Sequence, residues 1–214
     1  MELSTEKILK KFFSKYKTLS YKKGEIILRP EDPISGINLL KEGYVKQYVI
    51  SKDGGEFTIH IFRPIALFPM MLAVDNNENH YFFEAVGTVN LSRAPLNKTL
   101  EFIKKEPEIL FYLAKSFAAG LNGFAERMEH LMFEHAYRRV ATLLSYLAKN
   151  FGEKEKKGIV INLPLAHKDI AVWVNLTRET TSRQLEKLTK QEIIEYRNHL
   201  IIIKKLKALE NLAL

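Results

Sequence analysis

The stretch from Leu163 to Leu188, LPLAHKDIAVWVNLTRETTSRQLEKL, constrains this chain more than any other. Ile170, Ala171 and Val174 recur at helical spacing and make one apolar stripe. Asn175-Leu176-Thr177 then breaks the pattern. Asn tolerates left-handed backbone, and Thr177 can cap a following helix by accepting from its free N–H groups. Beyond the break, Thr181, Leu185 and Leu188 fall at i, i+4 and i+7 and face inward. Glu179, Ser182, Arg183 and Glu186 fall at i, i+3, i+4 and i+7 and face outward. Two short helices across a tight turn, the second polar on its outer side, form the plan of a helix-turn-helix.

Two readings of that outer face compete. In one it is an ordinary solvated surface, with Glu179 and Arg183 as a helix-stabilising pair at i, i+4. In the other it reads DNA. Arg takes guanine through two parallel bonds, a carboxylate accepts from the cytosine amino group, and Ser or Thr serves bases or phosphate. The first reading does not require Thr177, Arg178, Thr180, Thr181 and Ser182 to crowd the first two turns, where helix interiors favour other residues.

Charge is distributed in the same sense. The chain of 214 residues carries a net +8. Residues 138–214 hold 15 Lys and Arg against 8 Asp and Glu, while residues 1–137 hold 18 against 17. A basic half joined to a neutral half is the footprint of a polyanion binder with a second task elsewhere. The chain has no Cys, which excludes a disulfide framework, a thiolate zinc site and a cysteine-held cluster, and favours the cytoplasm. The opening MELSTEKILKKFFSKY has no apolar signal core, and no run approaches the ~20 apolar residues of a membrane helix. No phosphate loop, nucleophile elbow or HExxH appears, and the six His are scattered, so no enzyme is expected.

Taken in order, residues 1–18 read as a helix with Ile8, Leu9, Phe12, Phe13 and Tyr16 on one side. Short β-rich runs follow at Ile26–Leu28, Ile37–Leu40, Val45–Ile50 and Phe57–Phe62, then around Tyr81–Ala85 and Thr88–Arg93. Lys23-Gly24, Pro33, Gly36, Glu42-Gly43 and Asp53-Gly54-Gly55 punctuate them, and Asp53-Gly54 is a hairpin signal. Evenly spaced short strands predict a barrel-like roll. A long helix runs from Pro107 to Phe133, with Leu110, Ala114, Phe117, Leu121, Phe124, Met128 and Leu131 alternating four and three apart. That is a heptad seam, for pairing with a twin or for packing on the roll. An amphipathic helix follows from Tyr137 to Phe151, then a solvated charged loop from Glu153 to Lys157, and a strand at Ile159–Ile161. Finally Ile193–Tyr196 and Leu200–Ile203 form a hairpin whose tip, Arg197 and His199, is either solvated or set on phosphate. The expected fold class is α+β: an antiparallel β-roll over 1–108, a long helix and hinge over 109–136, and a winged helix-turn-helix over 137–214.

LAHKDIAVWVNLTRETTSRQLEKL, with Gln191-Glu192-Ile193-Ile194 and Leu200-Ile201-Ile202-Ile203, resembles the DNA-binding domain of the Crp/Fnr family of bacterial transcription regulators. TRETTSRQLEKL is close to that family's recognition helix, and the amino-terminal part matches an effector-sensing β-roll by layout. The resemblance implies a homodimer paired through the long helix, double-stranded DNA as partner, and RNA polymerase as a further one. Resemblance and base chemistry together put Arg183, Glu179, Arg178 and Ser182 at base edges and Thr177, Thr180 and Lys168 on phosphate. Ala166 departs from the family, which commonly caps the first motif helix with Ser or Thr; losing that cap costs about 1 kcal/mol.

The stretch FRPIALFPMMLAV, Phe62 to Val74, departs further. The cyclic-nucleotide branch has a glycine–glutamate cassette there; this chain has no glycine and no carboxylate, and Pro64 and Pro69 each delete an N–H donor. Cyclic AMP is therefore not expected. Ile65, Leu67, Phe68, Met70 and Met71 either plug the roll or line an apolar effector pocket. Some members of the family carry haem, for which His80 would be the axial ligand, but a lone His in a polar loop is most often a solvated turn residue; no cofactor is expected. The alternative to a DNA regulator is a module that senses a ligand or partner and whose winged helix contacts protein.

Overall fold

The β-rich runs of the first half pair into two four-stranded antiparallel sheets. The computed structural model describes residues 2–52, 54–75, 78–133, 135–156, 158–197 and 200–213, with side chains throughout except at 2, 3, 126, 127, 129–133 and 213. Two compact units emerge, Met1–Leu121 and Asn122–Leu214, so the long helix is shared between them and is not a unit of its own.

The first unit runs α1 (Glu2–Phe13), β1 (Thr18–Tyr21), β2 (Ile26–Leu28), β3 (Gly36–Glu42), β4 (Val45–Ile50), β5 (Glu56–Phe62), β6 (Leu67–Phe68) and α2 (Met70–Asp75). It continues through β7 (Phe82–Ala85), β8 (Val89–Pro95), α3 (Leu96–Lys105) and the first half of α4 (Pro107–Phe133). One sheet has the order β1-β8-β3-β6 and the other β2-β7-β4-β5. In strand β3 the run from Ile37 to Leu40 is buried throughout, because both its faces are covered. Ile37 and Leu39 pack with Leu9, Phe13, Ile103, Ile109 and Leu113 of the helices. Leu40 turns the other way, into the core between the sheets with Val45, Phe68, Phe83, Val89 and Leu91. Gly43 makes the β3–β4 turn at φ 82, and a Cβ there would lie 2.2 Å from the Thr88 carbonyl oxygen. Tyr48 stacks on Phe82 with centroids 5.1 Å apart, and Lys46 Nζ sits 4.3 Å from the Tyr48 ring while pairing with Glu56 at 2.6 Å. Burial first, then the Glu84 and Glu56 charges, push the Tyr48 phenol well above its ordinary value.

The second unit contains α5 (Ala136–Phe151), β9 (Gly152–Glu155), β10 (Gly158–Ile161), α6 (His167–Trp173), α7 (Arg178–Lys190), β11 (Ile194–Arg197), β12 (Leu200–Ile203) and α8 (Leu206–Ala213). Its sheet has the order β11-β12-β10-β9. The expected charged loop from Glu153 is in fact edge strand β9, paired antiparallel with β10 from Gly152↔Ile161 to Gly158↔Glu155. Its side chains are exposed, and charged residues on an edge discourage further pairing. Val140, Leu143, Leu144 and Leu147 bury the apolar stripe of α5 within this unit. Among the described residues, no helix is long and apolar enough to cross a membrane.

Candidate nucleic-acid interface

Helices α6 and α7 form the motif through which the second unit can meet a double helix. Ile170, Ala171, Trp173 and Val174 are buried on the α6 side, and Thr181, Leu185 and Leu188, each at 0% exposure, are buried on the α7 side. The chain turns between them at Asn175, held at φ 51, and the Leu176 N–H closes back on the Ala171 carbonyl at 3.0 Å. Thr177 caps α7: its Oγ1 accepts from the Thr180 N–H at 3.1 Å. On α6 the Asp169 carboxylate accepts from the Ala166 N–H at 2.7 Å, which satisfies the N-cap residue's own donor and not the first-turn N–H groups that a Ser or Thr there would take. Ala166 has no side-chain acceptor, so this is one half of a capping box.

Arg178, Glu179, Arg183, Glu186 and Lys187 are exposed on α7, and Lys168 is exposed on the first turn of α6. Among the described residues, no ion pair joins Glu179 to Arg183; instead Arg183 Nη2 approaches Thr180 Oγ1 at 3.4 Å. The Thr177 hydroxyl in turn donates to Thr180 Oγ1 at 3.0 Å. The two threonines assigned to phosphate thus have local tasks: Thr177 caps the helix, and Thr180 connects that cap to the guanidinium. Ser182 is half-buried, and its hydroxyl lies 2.8 Å from His167 Nδ1.

His167 is the residue that spacing did not disclose. It joins α6 to α7 through Ser182, and its ring lies 5.5 Å from that of Tyr196 on β11, so it ties both motif helices to the wing. Nothing in a local pattern marks a contact across 15 residues. At the wing, Arg197 Nη2 pairs with Glu155 at 2.6 Å, both side chains nearly half exposed, and His199 lies outside the described residues. Lys187 Nζ rests 4.2 Å over the Tyr137 ring, and the Tyr137 hydroxyl donates to Gln191; burial pushes that phenol up.

The other candidate residues fall into two groups. Leu67, Phe68 and Met70 are buried at 6%, 0% and 2% exposure within the packed clusters of the roll, whereas Met71 is 70% exposed, so these four do not line one space. Ile65 packs beside them at φ 73, a left-handed conformation rare for a β-branched residue, and its carbonyl accepts from the Tyr112 hydroxyl at 3.4 Å. His80 is exposed, and the neighbouring Asn79 is the buried member of that loop, donating to the Arg29 and Tyr81 carbonyls. Along α4, Leu110, Ala114, Phe117, Leu121, Phe124 and Met128 are all exposed in the single chain; the side chain of Leu131 lies outside the described residues.

Comparison with known proteins gives a consistent result. Residues 138–212 match the family described as the Crp-like helix-turn-helix domain, and residues 18–106 match the cyclic nucleotide-binding domain. The global nitrogen regulator of Nostoc is 26% identical over 188 residues, spanning 87% of this chain and 84% of that protein. The transcriptional regulator SdrP of Thermus thermophilus is 29% identical over 198 residues, spanning 92% and 94%. A crystal structure of a CRP/FNR-family transcriptional regulator from Thermus thermophilus superposes with a TM-score of 0.74 at 28% identity, spanning 92% of this chain and 98% of that one.

Proposed function

This chain belongs to the Crp/Fnr family of transcription regulators, and from that premise we propose that it binds near-palindromic operator DNA as a homodimer, with α7 of each subunit in the major groove. It is a DNA-binding regulator and not an enzyme. The observation that carries the proposal is the division of α7. Thr181, Leu185 and Leu188 are fully buried, while Arg178, Glu179 and Arg183 stand in solvent on the opposite side. Arg183 reads guanine, Glu179 accepts from cytosine, and Lys168 holds phosphate. Thr177 and Thr180 position Arg183 more than they bind the backbone, and Ser182 reaches bases only by leaving His167.

The homodimer is supported by the heptad ridge on α4, where Leu110 is 57% and Leu121 is 68% exposed, with Phe117, Phe124 and Met128 between 38% and 47%. A two-fold pair sets its recognition helices about 34 Å apart, one DNA turn, and asks for an inverted repeat. Cyclic AMP is not the effector in this reading. The cassette that would cradle its phosphate is replaced by Pro64, Pro69 and core side chains. RNA polymerase is the further partner.

Selection of bound sites from random duplexes, followed by gel shifts across a salt series, tests the proposal. An inverted repeat bound by two chains, with affinity falling steeply as salt rises, is the expected result. Absence of any shift at low salt would defeat it and favour a protein-binding winged helix.

A further inference from the structure

Ser182 stands on the side of α7 that carries Arg178 and Glu179, yet its hydroxyl is already engaged. Its Oγ lies 2.8 Å from Nδ1 of His167, the first residue of α6, and both residues are half-buried. Ser116 and Thr189 show the common alternative for a hydroxyl on a helix, each donating to the carbonyl four residues back, at 2.8 and 3.0 Å. Among the described residues Ser182 makes no such bond, so His167 is its partner in the fold. In either tautomer of the ring, one hydrogen is shared between the two.

The imidazole is not free to follow if Ser182 turns outward. Its ring is set against that of Tyr196 on β11, centroids 5.5 Å apart, and His167, Leu185 and Tyr196 line one groove between the motif helices and the wing. Reaching a base would exchange one neutral hydrogen bond for another, which by itself is level. It would also leave a half-buried ring nitrogen without a partner, so the exchange runs uphill by about fivefold or more. Arg178, Glu179 and Arg183 are exposed, and among the described residues none of them is bonded to another element.

We propose that His167 is a positioning residue for operator specificity: by holding Ser182 it withholds that hydroxyl from the duplex and leaves the base pair opposite Ser182 unread by it. The inference rests on α7 entering the major groove, and it narrows each half-site to the steps met by Arg178, Glu179 and Arg183.

Site selection from random duplexes with the full-length protein tests this through base preference, which a uniform loss of phosphate contacts does not move. Ser182→Ala is expected to select the same operator as the unaltered protein and to bind it within about twofold. His167→Phe keeps a ring against Tyr196 and removes the nitrogen; it should add a preference of about fivefold at one step in each half-site. Ser182→Ala in that background should erase the added preference. His167→Asn, whose amide can take the place of Nδ1, should restore the unaltered profile. Should His167→Phe fail to fold, Ser182→Ala decides alone: a base preference changed at any step overturns the inference. So would a folded His167→Phe that selects the unaltered operator, an added preference that survives Ser182→Ala, or an Asn variant that behaves like the Phe one. Failure of the unaltered protein to bind any duplex would remove the major-groove reading, and this inference with it.

Discussion

Helices α4 and α5 both carry an apolar stripe at helical spacing, yet they meet opposite fates in a single chain. On α5, Val140, Leu144 and Leu147 are at 0% exposure, covered by α7, α8 and β10 of the same unit. On α4, the ridge from Leu110 to Met128 faces water. Periodicity reports that a helix has a face to bury; it does not report against what. A stripe matched by elements nearby in sequence completes a domain, whereas a ridge left bare asks for a second chain.

That difference can be broken most sharply at the ridge. Leu121→Glu should abolish dimerisation and weaken operator binding by more than about 100-fold, since an unpaired charge in a closed interface costs about 3–5 kcal/mol. Its thermal stability as a monomer should change little. Sedimentation and gel shift together check this, and an unaltered dimer would remove α4 as the pairing helix. On the other side of the comparison, Leu144→Ala should lower unfolding free energy by about 2–5 kcal/mol through the cavity it leaves, with oligomeric state unchanged in conditions where it folds. Denaturant titration measures the first and light scattering the second.

The recognition helix contains the same contrast at smaller scale. Arg183→Ala should lose about 1–3 kcal/mol on operator DNA and relax specificity, while Lys168→Ala weakens operator and random DNA alike. Equal losses from Arg183→Ala on both would show that it is not a base reader. On the buried face, the Thr181 hydroxyl has no hydrogen-bond partner among the described residues. Thr181→Val, nearly the same shape, should raise stability by about 1 kcal/mol and leave DNA affinity as it was.

The smallest expected effect lies in the first unit. Tyr48 has its phenol raised in the folded state, so its contribution is intact below the ordinary tyrosine range and is lost as pH climbs above it. Tyr48→Phe should flatten that alkaline decline in melting temperature and leave neutral pH behaviour alone.

How far the chain could be read follows from where physics is local. The motif helices, the Asn175 turn and the Thr177 cap all rest on neighbours within a few residues, and they stand in the structure where spacing put them. The strands of the roll were legible between their glycine and proline punctuation. Strand β9 was not, because an exposed edge strand written Gly-Glu-Lys-Glu has the composition of a solvated loop. Helices α3 and α8 are amphipathic but short, and β1 alternates over only four residues, so their local patterns are brief. At the site itself, side-chain chemistry pointed to the outer face of α7, but pairings such as His167 with Ser182 and Arg183 with Thr180 depend on the path of the chain in space.

Ile65 is held at φ 73 beside the segment that carries Leu67, Phe68 and Met70. Such a backbone stores about 1–3 kcal/mol that the surrounding packing must hold in place. That packing is shared with the ridge helix, because the Ile65 carbonyl accepts from the Tyr112 hydroxyl on α4. The strained peptide is thus anchored at one end by the roll's core and at the other by the helix that bears the ridge.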